Sequence, residues 1–459
     1  MRTAYRHSAL ALAMACALVL PLAGHAQEGS REQQLEQRVA QLEQQLNELK
    51  SLVQAQAAQT RAPAATPAQT VAAAPAAPAA PAAAHEVVLT TPGNAYPNTK
   101  VKIGGFIKTD FMSTHTDGYL GDQNAARDLY LPGATPIGGK SASYSDMHAK
   151  FSRISVGVDS LTDGGDKVGA FLEWDFFGNS LGNENASNGY GLTLRHAYLY
   201  WNNWLAGQTW TNFMDPNALP EAVDFIGVTD GTVFVRQAQL RYTSGGFAMA
   251  LENPHTTVTP YQGGSAQLSP DHNVMPDLTA RYTWKGDWGF FGVAGLLRQL
   301  RTDGRNDALP SGTSTATAGG VSVMGKAVLG SNDDLRYSAT VGKGIGRYVG
   351  LANFAADGML NAASDIETRR VWAAYLAWHH AFDDRLRMNL MVARNGIDND
   401  VALTGPAANR HTESAHVNLL YSPLPKVDLG AEYAWGRRVL ENNDSGKLQR
   451  LQFTAKYSF

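Results

Sequence analysis

The sequence predicts an all-β protein: a sixteen-stranded antiparallel transmembrane β-barrel with an N-terminal periplasmic coiled-coil helix. Three observations predict it. From about Val101 to Phe459 the chain is a series of segments that alternate apolar and polar residues. Tight turns and long polar stretches take turns in connecting them. A heptad run lies near the N-terminus, set apart by an Ala/Pro-rich stretch. Period 2 sends successive side chains to opposite faces of a strand, and short turns at one end with long loops at the other is the layout of an outer-membrane barrel.

The composition agrees. The 459 residues are 44% hydrophobic with a net charge of −3, which carries neither a nucleic-acid footprint nor a strong acidic bias. The 45 glycines, 17 Tyr, 16 Phe and 9 Trp favour many short strands and turns over helices. Mean hydropathy is −0.25, a value that barrels share with soluble proteins because half of each strand is polar.

Residues 1–26 read as a signal peptide: Arg2 and Arg6 are the positive start, Ala9 to Leu22 the apolar run, and Gly24-His25-Ala26 the cleavage site. The run is shorter than the ~20 residues of a membrane span. Cys16 raises the rival of a lipoprotein signal, but it sits mid-run with apolar residues after it. Cleavage before Gln27 leaves a mature chain without cysteine, so no disulfide stabilises it.

Residues 27–54 are the expected coiled coil. Leu35, Val39, Leu42, Leu46, Leu49 and Val53 are spaced 4-3-4-3-4, with Arg38 and Glu43 placed to pair between parallel chains. About three heptads are marginal alone, so the segment reads as an oligomerisation device; a surface helix packed on its own domain is the alternative. Residues 55–100 are an expected periplasmic linker, since Pro63, Pro67, Pro75, Pro78 and Pro81 forbid a continuous helix.

Residues 101–459 are the expected barrel. In FSRISVGVDS, Ile154, Val156 and Val158 oppose Arg153, Ser155, Gly157 and Asp159; KVDLGAEYAW repeats the pattern with Val427, Leu429, Ala431, Tyr433 and Trp435. Strands are expected from near residues 101, 150, 166, 192, 203, 234, 246, 277, 287, 320, 334, 367, 384, 411, 425 and 448. Seven tight connections (LTDGGD, WNN, TSGG, KGD, SNDD, FDDR, SPLPK) alternate with eight long ones, such as Ser113 to Ala149 and Glu252 to Asp277. A β-sandwich or propeller would need one dry face per strand, whereas here the second parity is charged or glycine throughout. The final LQFTAKYSF reads as the closing strand, with Phe453, Tyr457 and Phe459 outward near the periplasmic aromatic girdle.

The stretch LRHAYLYWNNWLAGQTWTNFMDPNALPEAVDF, Leu194 to Phe225, resembles the DcaP-like trimeric porins of Gram-negative outer membranes. So do VKIGGFIKTDF, FSRISVGV, FLEWDF, RQAQLRYT, PDLTARYTW and the coiled coil before its Ala/Pro spacer. The resemblance implies a sixteen-stranded homotrimeric channel, with its coiled coil in the periplasm, that takes small anionic solutes such as dicarboxylates.

The third long loop, Thr211 to Val233, carries Asp215, Glu221, Asp224 and Asp230 among apolar residues too numerous for full exposure. It is expected to fold into the barrel as the acidic side of a constriction. The polar parity of the strands sets Lys108, Arg153, Arg195, Arg241 and Arg281 as the basic wall facing it. Any one of these arginines could instead be held in an ion pair that stabilises the loop.

No enzyme, metal centre or cofactor is expected. There is no G-x-S-x-G, H-E-x-x-H or P-loop, and His379 and His380 point to opposite faces of a strand. His196 reads as a strand or subunit-contact residue, and an outer-membrane hydrolase is the minor alternative. The other alternative is a structural tether, whose coiled coil reaches the cell wall (peptidoglycan) while the barrel only anchors it. Expected partners are further copies of the chain, outer-membrane lipids and small anionic solutes, with no nucleic acid.

Overall fold

The computed structural model describes residues 85–89, 99–121, 124–178, 187–270, 272–303 and 312–459. The expected signal peptide, the coiled coil with its seam of Leu35, Val39, Leu42, Leu46, Leu49 and Val53, and nearly all of the linker lie outside those residues.

Sixteen strands close into one antiparallel barrel. The first six are β1 (Thr99–Thr116), β2 (Arg153–Leu161), β3 (Lys167–Asp175), β4 (Thr193–Trp201), β5 (Trp204–Trp210) and β6 (Arg236–Ser244). Next come β7 (Phe247–Glu252), β8 (Asp277–Gly286), β9 (Gly289–Thr302), β10 (Ser314–Leu329) and β11 (Asp333–Lys343). The last five are β12 (Arg370–Ala381), β13 (Leu386–Ile397), β14 (Asn409–Leu424), β15 (Val427–Leu440) and β16 (Ser445–Ser458). Chain neighbours pair throughout, and β16 pairs with β1 from Phe106↔Ser458 to Thr116↔Leu448. Closure leaves no open hydrogen-bonding edge toward lipid, where water cannot satisfy it. Phe453 and Tyr457 face outward beside this seam, and the Phe459 amide donates to the Gly105 carbonyl (3.0 Å).

All seven expected tight turns join the hairpins at one end. In FDDR the amides of Arg385 and Leu386 donate to the Asp383 carboxylate (2.7 and 2.8 Å), which holds its pKa below the usual range. Two connections at the other end differ from expectation. Between β15 and β16 only Glu441–Asp444 remains, a tight turn rather than a long loop. Ser113 to Ala149 is not all loop either: Ala142–His148 forms a strand on the Asp110–Thr116 half of β1, while β2 pairs with the Lys100–Phe106 half. Alternation in ASYSDMH supports that piece, with Met147 outward and Asp146 and His148 inward.

The outer face is apolar and exposed, while the core lies inside the barrel. Trp210, Phe213, Met214, Ile226, Tyr348, Val349 and Phe354 belong to one buried cluster, in which two loops pack on each other and on the wall. Those loops are residues 211–235 and 344–369, stitched by the bridge Val233↔Val349 and by Phe234 N–H to the Tyr348 carbonyl (3.2 Å).

Candidate pore lining

A loop inside a barrel leaves backbone carbonyls without strand partners, so side chains from the wall must satisfy them. Lys108 donates to the Val223 carbonyl (3.0 Å), Tyr375 to Ala218 (2.8 Å), Arg336 to Leu219 (2.8 Å) and Asn418 to Glu221 (2.9 Å). Arg281 donates to the Met214 carbonyl and Asn395 to Asp230 (3.1 Å), while Glu432 accepts from the Val223 amide (2.7 Å). The loop is thus held by β8, by β11 to β15 and by β1.

All four acidic residues of the loop are engaged. Asp215 lies 3.6 Å from Arg281, and Glu221 takes a two-pronged contact from Arg387 (2.8 and 2.7 Å). Asp224 accepts from the amides of Tyr130, Ile226 and Gly227 and lies 3.7 Å from Arg450. Asp230 is fully buried and accepts from the Ser414 hydroxyl (2.7 Å).

The five basic residues singled out from strand parity all border this loop. Arg153 pairs with Glu173 (3.1 Å) and Asp175 (3.2 Å), and Arg195 with Asp175 (2.5 Å). Both guanidinium groups also lie over the ring of Phe225, at 5.9 and 4.9 Å from its centroid. Arg241 donates to Gln239 (2.8 Å) and to the Trp210 carbonyl, with no carboxylate partner among the described residues. Lys108 also contacts Asp110 (2.5 Å).

His196 is a strand residue, as expected, but it faces inward. A bulge opposite Glu173 and Trp174 turns both Arg195 and His196 inward, and His196 is buried with Nδ1 3.0 Å from the Thr209 hydroxyl. Arg336, Arg387, Arg450 and Glu432, which grip the loop, were not singled out from sequence although each has inward parity. Arg236 was also missed: its guanidinium stacks on Trp210 (3.5 Å to the centroid) with no ion pair among the described residues.

On the tight-turn side of the loop lies an open recess. Arg241, Arg281 and Lys285 line it from the wall and Met214 to Asn217 from the loop, with Asp215 its one carboxylate. No helix among the described residues is long and apolar enough to cross a membrane, and no group of His, Cys, Asp and Glu there has the geometry of a metal site.

A family model for DcaP outer membrane proteins matches residues 93–459. The chain belongs to the DcaP outer membrane protein family. This DcaP family member shares its fold with the outer membrane channel DcaP of Acinetobacter baumannii, at 24% identity and a TM-score of 0.64, covering 79% of this chain and 97% of that one. Two more remote matches are an anion-selective porin from Comamonas acidovorans and OmpF of Salmonella typhi. Each is 12% identical; the first covers 79% of this chain and 100% of its own at a TM-score of 0.48, the second 78% and 98% at 0.47. No curated protein gives a significant match. Family and fold together make the chain an outer-membrane protein of β-barrel fold.

Proposed function

We propose that the barrel is a diffusion channel for small hydrophilic solutes that favours anions such as dicarboxylates. The single observation behind the preference is the recess beneath the inward loop, where three cations face one carboxylate. Asp215 is drawn to Arg281, which leaves Arg241 and Lys285 with no carboxylate partner among the described residues. Guanidinium and ammonium groups on a wet wall attract carboxylates and still release them, because each contact is weak in water.

The constriction is formed by Asp215, Glu221, Asp224 and Asp230 on the loop and Lys108, Arg153, Arg195, Arg241 and Arg281 on the wall. Since Asp215, Glu221 and Asp224 each lie against a wall guanidinium and Asp230 is buried on Ser414, the field there is set by the surplus of wall cations rather than by acid facing base. The coiled coil joins copies into a homotrimer in the periplasm, and residues 1–26 direct export.

The test is the reversal potential of purified protein in a planar bilayer under a salt gradient. Replacing Arg241 and Lys285 together by Gln should shift it toward cations by a large part of the anion preference while conductance persists. An unchanged reversal potential contradicts the proposed role of the recess.

A further inference from the structure

At the long-loop end, four outward side chains stand in one cross-strand row. Arg394 is opposite Glu413, Glu413 opposite Arg437, and Arg437 opposite Lys447. With neighbouring strands about 4.8 Å apart, the row is roughly 15 Å long. It holds three cations and one carboxylate, and that carboxylate is shared without a hydrogen bond: Glu413 is 3.8 Å from Arg394 and 3.7 Å from Arg437. The Arg437 Nε is buried with no hydrogen-bond partner, His411 stands one step above Glu413, and Arg410 lies beyond it at the bulge between Asn409 and His411.

Below it on the same outward parity, past Ala415, Trp435 and Gln449, come Val392, Leu390, Val417, Tyr433 and Leu451, all exposed. From Arg437 to Leu429 the strand descends eight residues, which at ~3.4 Å each and a tilt of ~40° is roughly 20 Å along the membrane normal. The row therefore stands at the upper border of the apolar band, where hydrocarbon gives way to headgroups. Because short turns mark the periplasmic end, that border belongs to the outer leaflet.

A cationic row above an exposed apolar strip is complementary to an anionic amphiphile: phosphates to the guanidinium forks, acyl chains down the wall. A free phosphate would use only the upper half of this surface. We propose that Arg394, Arg437 and Lys447, with Glu413 between them, dock a glycolipid of the outer leaflet that carries phosphate monoesters on its sugar headgroup.

The test titrates full-length protein in detergent micelles with bisphosphorylated lipid A, and reads bound lipid by native mass spectrometry. Lipid A stripped of both phosphates should bind at least tenfold more weakly. R394Q/R437Q/K447Q should lose the same factor at unchanged single-channel conductance, which also reports folding. Glu413→Gln, which removes the competing carboxylate, should tighten binding severalfold. Equal affinity for the two lipids, or unchanged affinity in both variants, overturns the proposal. So does displacement of the lipid by millimolar inorganic phosphate, which would mark a plain anion site. A cross-link between copies through residue 437 that excludes lipid A overturns it too, because the row would then be a subunit contact.

Discussion

Gly430 and Gly436 leave the inner wall of β15 flat where two loops come down on it. A Cβ at Gly430 would stand 2.8 Å from the Val223 side chain, and one at Gly436 would stand 2.5 Å from the ring of Tyr130. Tyr130 in turn meets His416 edge-on, with centroids 5.5 Å apart. Gly436→Val should push the ring away and cost about 1–3 kcal/mol, the usual penalty for overpacking. Differential scanning calorimetry should show a lower transition temperature; an unchanged one would mean that Tyr130 relocates freely. At this scale the sequence was legible wherever strict alternation holds, so Lys108, Arg241 and Arg281 could be aimed into the lumen by parity. Arg195 and His196 show the limit. The extra residue of a bulge brings two neighbours to one face, and nothing in TLRHAYLY announces it.

Strands were the most legible elements, because alternation over eight or more residues is hard to mistake. The largest offset is β10, expected near residue 320 and observed from Ser314. Its first residues, STATAG, alternate only Ala with Ser and Thr, which hydropathy barely separates. Loops were harder, since pairing rather than periodicity decides their path. The apolar content that pointed to an inward third loop is also present in GRYVGLANFAADGML, yet the partnership of 344–369 with 211–235 rests on a backbone bridge that no local pattern reveals. The proposed coiled coil carries a prediction of its own. Leu42→Glu with Leu46→Glu in the full-length protein should weaken the oligomer, because each seam leucine is worth roughly 1.5–3 kcal/mol when buried. Native mass spectrometry should then show smaller assemblies at dilution; the same mass distribution as the parent would leave the heptads without a role in assembly.

On the scale of the whole molecule, one rule accounts for the barrel: apolar residues face lipid, and charge is kept for the inside and the rims. The net charge of −3 conceals that division, because the recess and the outer cationic row are both locally positive. The family and the fold make this an outer-membrane barrel, and the inward loops leave passage to be decided by how much of the lumen stays wet. A structural tether needs no conduction at all. The most direct measurement is planar-bilayer recording of the purified full-length protein, with a sodium dicarboxylate and an organic amine chloride on opposite sides. An open pore whose reversal potential favours the dicarboxylate is the predicted result. A silent bilayer, or a pore that prefers the amine, would contradict the account.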